Sequence, residues 1–151
     1  MKEDKYFMRK ALAEAQKAFE KGEVPVGAVV VSEEKVIACG HNQSLKKNDP
    51  TAHAEIIAIR KACHKRKNYR LMSCDLYVTL ELCAMCAGAV VQARIRRLIY
   101  GAADPKAGAI ESIMKFPFER TNHRPEVLGG VLADECSEIL KDFFRKRRSK
   151  K

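Results

Sequence analysis

The stretch Thr79–Gly88 places Cys83 and Cys86 three residues apart behind an apolar run. A Cys-x-x-Cys pair supports three chemistries: a redox dithiol, half of a structural zinc site, or half of a catalytic one. Upstream, in "TAHAEIIAIR", His53 and Glu55 stand two apart, after a loop that ends in Pro50. One histidine and two cysteines make three zinc donors, and a catalytic zinc keeps its fourth position for water. A structural zinc needs a fourth protein donor. His41, His64, Cys39, Cys63, Cys74 and Cys136 are available for that role, but none follows a ligand spacing. Those four cysteines read more simply as small buried hydrophobes. Residues two apart on a helix do not share a face, so Glu55 can lie beside an ion that His53 binds. A carboxylate there can take a proton from water at the open position and hand it to a substrate.

These side chains need two strand-to-helix junctions to bring them together. Phe7, Ala11, Ala15, Ala18 and Phe19 recur at helical spacing, so the pattern predicts an amphipathic helix from Asp4 to about Lys21, closed by Gly22. "VPVGAVVV" and "KVIACG" then read as a hairpin joined by "SEEK", and "SLKKNDP" as a loop. Thr51 is placed to cap a helix running to about Lys65. "DLYVTL" is a buried strand, Ala84 to about Gln92 a helix, and "RRLIYG" a further core strand. Cys83 and Cys86 therefore fall near a helix N-terminus, where backbone N–H groups favour thiolates. "ADPKAGAIES" reads as a loop entering a short helix, "EVLGGV" as a short apolar piece, and Ala133 to about Arg147 as the last helix. A hairpin followed by alternating strands and helices points to an α/β fold, a mixed sheet covered on both faces. No repeat or low-complexity linker divides the 151 residues, so one domain is expected.

The formal net charge is +10, and the basic residues cluster in "LKK", "HKRKNYR", "RIRR" and the tail "RKRRSKK". Such an excess points to a polyanionic partner, nucleic acid being the commonest, although a solvated surface and a disordered tail at 145–151 are the plainer alternatives. No segment is apolar enough to span a membrane, and the charged N-terminus lacks a signal-peptide run, so a cytoplasmic protein is expected. In that reducing compartment, thiols or metal ligands are expected rather than disulfides.

The pattern H-A-E followed by C-A-M-C resembles the zinc-dependent nucleobase deaminases of the cytidine/deoxycytidylate deaminase superfamily. The likeness runs from about Tyr6 to Arg148 and includes "VPVGAV", "DPTAHAEI", "NYRL", "LYVTLE", "CAMCAGA", "NHR" and "LADEC". The C-terminal segments narrow it to the tRNA adenosine deaminase branch. That resemblance implies a three-layer α/β/α sandwich with a mixed five-stranded sheet, usually in a homodimer that grips a tRNA anticodon stem-loop. It implies one Zn²⁺ per subunit on His53, Cys83 and Cys86, with Glu55 shuttling protons while the wobble adenosine becomes inosine. By the same carry-over Asn42 contacts the flipped base, Val26 and Ala28 line its pocket, and backbone groups near Ala54 help to hold it. Asp104, Lys106, Asn122, Phe144 and Arg147 fall where the family grips neighbouring nucleotides. A zinc deaminase of another base (guanine or cytosine) would share the zinc, glutamate and water, and a zinc-stabilised RNA-binding module would share the basic surface. One position departs from the resemblance: Leu82 stands where proline usually precedes the first zinc cysteine. Proline pre-sets φ at a helix start, so Leu82→Pro is expected to be tolerated or slightly stabilising.

Overall fold

The structure, a computed structural model, describes residues 2–149; Lys150 and Lys151 of the basic tail lie outside the described residues. The elements run α1 (Asp4–Glu20), β1 (Gly27–Ser32), β2 (Lys35–His41), α2 (Ser44–Lys47), α3 (Ala54–Arg66), β3 (Cys74–Leu80), α4 (Ala84–Ala93), β4 (Arg97–Ala102), β5 (Glu126–Leu128) and α5 (Ala133–Ser149). The sheet order is β2-β1-β3-β4-β5. β1 pairs antiparallel with both β2 and β3, whereas β3, β4 and β5 run parallel, giving the mixed five-stranded sheet.

Side chains alternate across the strands, so the central strands feed two cores. Val29, Val31, Tyr77 and Ile99 face Phe7, Met8 and Ala11 of α1 and Cys136 of α5. Ala28, Val30, Leu76, Val78, Leu98 and Tyr100 face Ala54, Ala58 and Ala62 of α3 and Cys86, Val90 and Ala93 of α4. Helices therefore cover both faces in three layers. The helices carrying the chemistry share one layer, and their seating is close. A Cβ on Gly40 of β2 would come within 2.5 Å of the Ala54 carbonyl oxygen and 2.7 Å of the Ala58 nitrogen. Only a residue without a side chain lets the first turn of α3 rest on the sheet.

Five expectations are corrected. "SLKKNDP", read as a loop, opens with the short helix α2 at Ser44–Lys47 and leaves it at Asn48 in the left-handed conformation, φ 49°. The first strand begins at Gly27, because Pro25 has no N–H to offer a ladder and Val26 donates back to the Val24 carbonyl in a tight turn at 2.8 Å. Thr51 does not cap α3; its N–H and hydroxyl both bond Asp49, at 2.8 and 2.7 Å, and His53 holds the cap position. The segment after β4 forms turns rather than a short helix, and the only helical piece between β4 and β5 is a 3-10 turn at Phe118–Arg120. The tail is helical through Ser149, since α5 continues past Arg147.

Candidate metal and catalytic site

His53 and Cys83 occupy equivalent places. Each is an N-cap in extended conformation, at φ −75° and ψ 153° for His53 and φ −78° and ψ 174° for Cys83. Their carbonyls accept the first helical bonds, from Ile57 and Ala87, both at 3.0 Å. Neither side chain caps its own helix. Giving up a side-chain cap costs about 1 kcal/mol, and at these two junctions the side chains turn toward each other instead. For α3 the loss is made good from outside: the Ala54 N–H donates to Asn42 Oδ1 at 2.8 Å.

The result is a convergence of donors. Among the described residues, His53, Cys83 and Cys86 bring their ligand atoms within 4.8 Å of one another. His53 Nδ1 lies 3.6 Å from Cys83 Sγ and 3.5 Å from Cys86 Sγ. A tetrahedral zinc with bonds of about 2.3 Å to sulfur and about 2.0 Å to nitrogen holds S and N about 3.5 Å apart, so the spacing fits that ion. No further His, Cys, Asp or Glu among the described residues joins the cluster, which leaves the fourth position of such an ion to a non-protein group. His41 is engaged elsewhere, buried against Glu14 at 3.4 Å. All six cysteines are free, Cys74 and Cys136 buried and Cys39 and Cys63 half-buried.

The electrostatics favour one thiolate among the donors, at Cys83. A hydrogen bond from the Cys86 thiol and the nearby His53 ring outweigh burial and pull the Cys83 thiol down to about 4. Cys86 moves the opposite way, because it donates to Cys83 and is itself buried. His53 is raised, first by its contact with Cys83. Glu55, 4% exposed, is raised chiefly by burial, although the His53 ring and Cys86 thiol act against that shift.

The other expected site residues divide into groups. Asn42 is half-buried and joined to its neighbours, its N–H donating to the Val26 carbonyl at 3.1 Å and its side chain accepting from Ala54. Val26, Ala28 and Ala54 are buried in the core cluster that also contains Leu82 and Cys86. Asp104, Lys106, Phe144 and Arg147 come together along one cavity of about 860 Å³ between the loop after β4 and α5, with Lys141, Arg145 and Arg148 at its rim. Asn122 lies apart, exposed in the loop before β5.

Sequence reading passes over Glu81. Its signal is a glutamate in the apolar run "LYVTLEL", just ahead of the cysteine pair. Burial opposes its charge, yet hydrogen bonds from Glu111, Ser112 and Asp104 prevail and hold its pKa at about 2. Oε1 accepts from the Asp104 N–H at 3.0 Å and from the Ser112 hydroxyl. Oε2 accepts from the N–H groups of Ile110, Glu111 and Ser112 at 2.9, 2.8 and 3.0 Å.

The MafB19-like deaminase family matches residues 1–148. A tRNA-specific adenosine deaminase of Haemophilus influenzae is 52% identical over 98% of this chain and 87% of its own length. The Bacillus subtilis protein of the same description is 47% identical over 100% of this chain and 94% of its own. Among solved structures, one from work on A-to-I editing by tRNA:A34 deaminases superposes with a TM-score of 0.86 at 52% identity, covering 89% of this chain and 99% of that one. A guanine deaminase of Bacillus subtilis superposes with a TM-score of 0.65 at 34% identity, covering 76% of this chain and 84% of that one.

Proposed function

The chain belongs to the MafB19-like deaminase family, and from that premise we propose that it is a tRNA-specific adenosine deaminase, hydrolysing the wobble adenosine of an anticodon to inosine and ammonia. The observation that carries this reading is the convergence of one nitrogen and two sulfur donors with a buried carboxylate at their side. His53, Cys83 and Cys86 hold Zn²⁺, one per subunit. When bound, the ion lowers the pKa of a water molecule so that a hydroxide nucleophile is available near neutral pH. Glu55 moves the protons. Its carboxylate takes one as the oxygen adds to C6 of adenine and returns it to ring N1. The second proton goes through the same carboxylate to the departing amino group. The C6–N bond breaks, C6 keeps a carbonyl oxygen, and ammonia leaves, so one water enters for each ammonia released. Burial of Glu55 keeps bulk water from intercepting the proton between the two transfers.

Asn42, Val26, Ala28 and the backbone at Ala54 hold the flipped base. Asp104, Lys106, Asn122, Phe144 and Arg147 take the flanking anticodon nucleotides, with Phe144, 43% exposed, as a stacking surface. The basic rim formed by Lys141, Arg145 and Arg148 supports a polyphosphate partner over a free base. The chain works as a homodimer. What supports this is the outer side of α4, where Ala84 and Met85 are exposed, Gly88 and Ala89 half-buried, and no residue of the helix is charged. No described helix is long and apolar enough to cross a membrane, and a tRNA substrate places the protein in the cytoplasm.

A second reading, deamination of free guanine, draws on the 34% identity to the Bacillus subtilis guanine deaminase structure. One experiment separates the two. The metal-loaded protein is incubated with a synthetic anticodon stem-loop and, separately, with guanine, cytidine and adenosine, and ammonia and wobble inosine are quantified. Inosine at the wobble position with inert free bases is expected; ammonia from guanine alone would overturn the reading.

A further inference from the structure

We propose that Glu81 is a positioning residue: its buried carboxylate fixes residues 104–112 as one rigid loop and so holds Asp104 and Lys106 in place to receive RNA. The use of those two residues by RNA rests on the function proposed above; the fixing of the loop does not.

Glu81 is 2% exposed, directly after β3 and two residues before Cys83. The loop is laced to this junction by backbone as well as side chain: Glu81 N–H donates to the Ala102 carbonyl, and Ala109 N–H to the Leu82 carbonyl, both at 2.8 Å. The two carboxylate oxygens divide the loop between them. Oε1 takes the Asp104 end, and Oε2 takes the consecutive N–H groups of Ile110, Glu111 and Ser112. The segment from Asp104 to Ser112 has only turns of its own, so four N–H groups depend on this one side chain. Asp104 is in turn committed to the local turn, its Oδ1 accepting from Lys106 and Ala107 at 3.0 and 3.2 Å. Moving the anchor therefore moves both proposed RNA contacts together. The loop is matched to the carboxylate from its other side as well. A Cβ at Gly108 would lie 2.4 Å from both Glu81 Cδ and Oε1, a distance no real contact shows. Gly108 is thus required by the closeness of the carboxylate.

The substitutions grade the effect. In Glu81→Gln one oxygen is kept; set at the Oε2 place it still serves residues 110–112. The Ser112 hydroxyl can turn to accept from the new amide, so the Asp104 N–H alone loses its acceptor. Glu81→Ala releases both ends. Gly108→Ala displaces the carboxylate while leaving Glu81 intact, and covers the case in which Glu81→Ala fails to fold. Amide hydrogen exchange over 104–112, with the β3 amides as internal reference, would be measured on the full-length, metal-loaded protein. Metal content, kcat and KM on an anticodon stem-loop would be measured on the same preparations. Exchange should quicken at Asp104 in the Gln variant and throughout the loop in the Ala variant. KM should rise about 10- to 100-fold in Glu81→Ala and Gly108→Ala, with kcat within about threefold and metal content unchanged. Unchanged protection in Glu81→Ala, a loosened loop with unmoved KM, or loss of metal and kcat instead of KM would each overturn the proposal. If the parent protein leaves the stem-loop untouched, the proposed function fails, and the exchange data still decide whether Glu81 fixes the loop.

Discussion

At the scale of single residues, three groups able to hold a metal gather next to one buried carboxylate. His53, Cys83 and Cys86 converge on one point, and Glu55 stands beside them without entering the cluster. Glu55→Ala should therefore keep one metal per chain while deamination falls by about 10²-fold to 10⁴-fold. Metal analysis and turnover on one preparation check this, and loss of metal alongside activity would place Glu55 among the ligands. Leu82 shows how burial revises an expectation from sequence. Proline there restricts the unfolded chain by about 0.4–1 kcal/mol. Leu82, however, is 0% exposed and packed in the core, and proline's smaller ring gives up about one methylene, or about 0.8 kcal/mol. The two nearly cancel, so Leu82→Pro should leave metal content unchanged and shift Tm by no more than a few degrees in a thermal melt.

At the scale of elements, α1 is tied to the sheet by charge as well as by its apolar face. Arg97 of β4 bonds both oxygens of Asp4, at 3.2 and 3.1 Å, and the Tyr77 hydroxyl donates to Asp4 at 2.6 Å. The Arg97 bond, helped by Tyr77, holds the Asp4 carboxyl below its ordinary 3.8. A depressed folded-state pKa contributes stability above the unfolded value and loses it as pH falls through the folded one. Asp4→Asn should accordingly be less stable than the parent at pH 6, with the gap closing as pH drops below about 3.8. Denaturant midpoints measured across that range test it; a gap that persists in acid would mean the pair contributes through packing alone. The helices and central strands were legible from periodicity, because α1 spaces its apolar residues by turn and β3 is a buried run. The cluster of His53, Cys83 and Cys86 was legible from residue type and spacing. What escaped was decided by competing hydrogen-bond partners, one near in sequence and one far. Thr51 looks like a cap until Asp49, two residues before it, takes its donors in a local turn. "ADPKAGAIES" looks ready to become helical until Glu81, on another element, claims its N–H groups, and no local pattern carries that second contact.

At the scale of the whole molecule, the charge is placed as well as plentiful. Arg145, Arg147 and Arg148 line the cavity that Asp104 and Lys106 share, on a helix that persists to Ser149. Replacing all three by Gln should weaken stem-loop binding and flatten its dependence on salt by about 2 in log–log slope, since each phosphate neutralised contributes about 0.7 on single strands. Fluorescence anisotropy at several salt concentrations measures the slope, and an unchanged slope would leave the helix end a solvated arm. The two helix starts that meet at the donor cluster also have a consequence for how long the protein lasts. His53 and Cys83 are separated by 30 positions, and an ion shared between them closes that length of chain into a ring that the unfolded protein cannot keep. Chelation should lower Tm as well as turnover, and protease should cut the stripped protein first around these junctions. Scarcity of such a metal would then act on the lifetime of the chain as well as on its turnover, because an unloaded molecule lacks the closed ring and opens to proteolysis more readily.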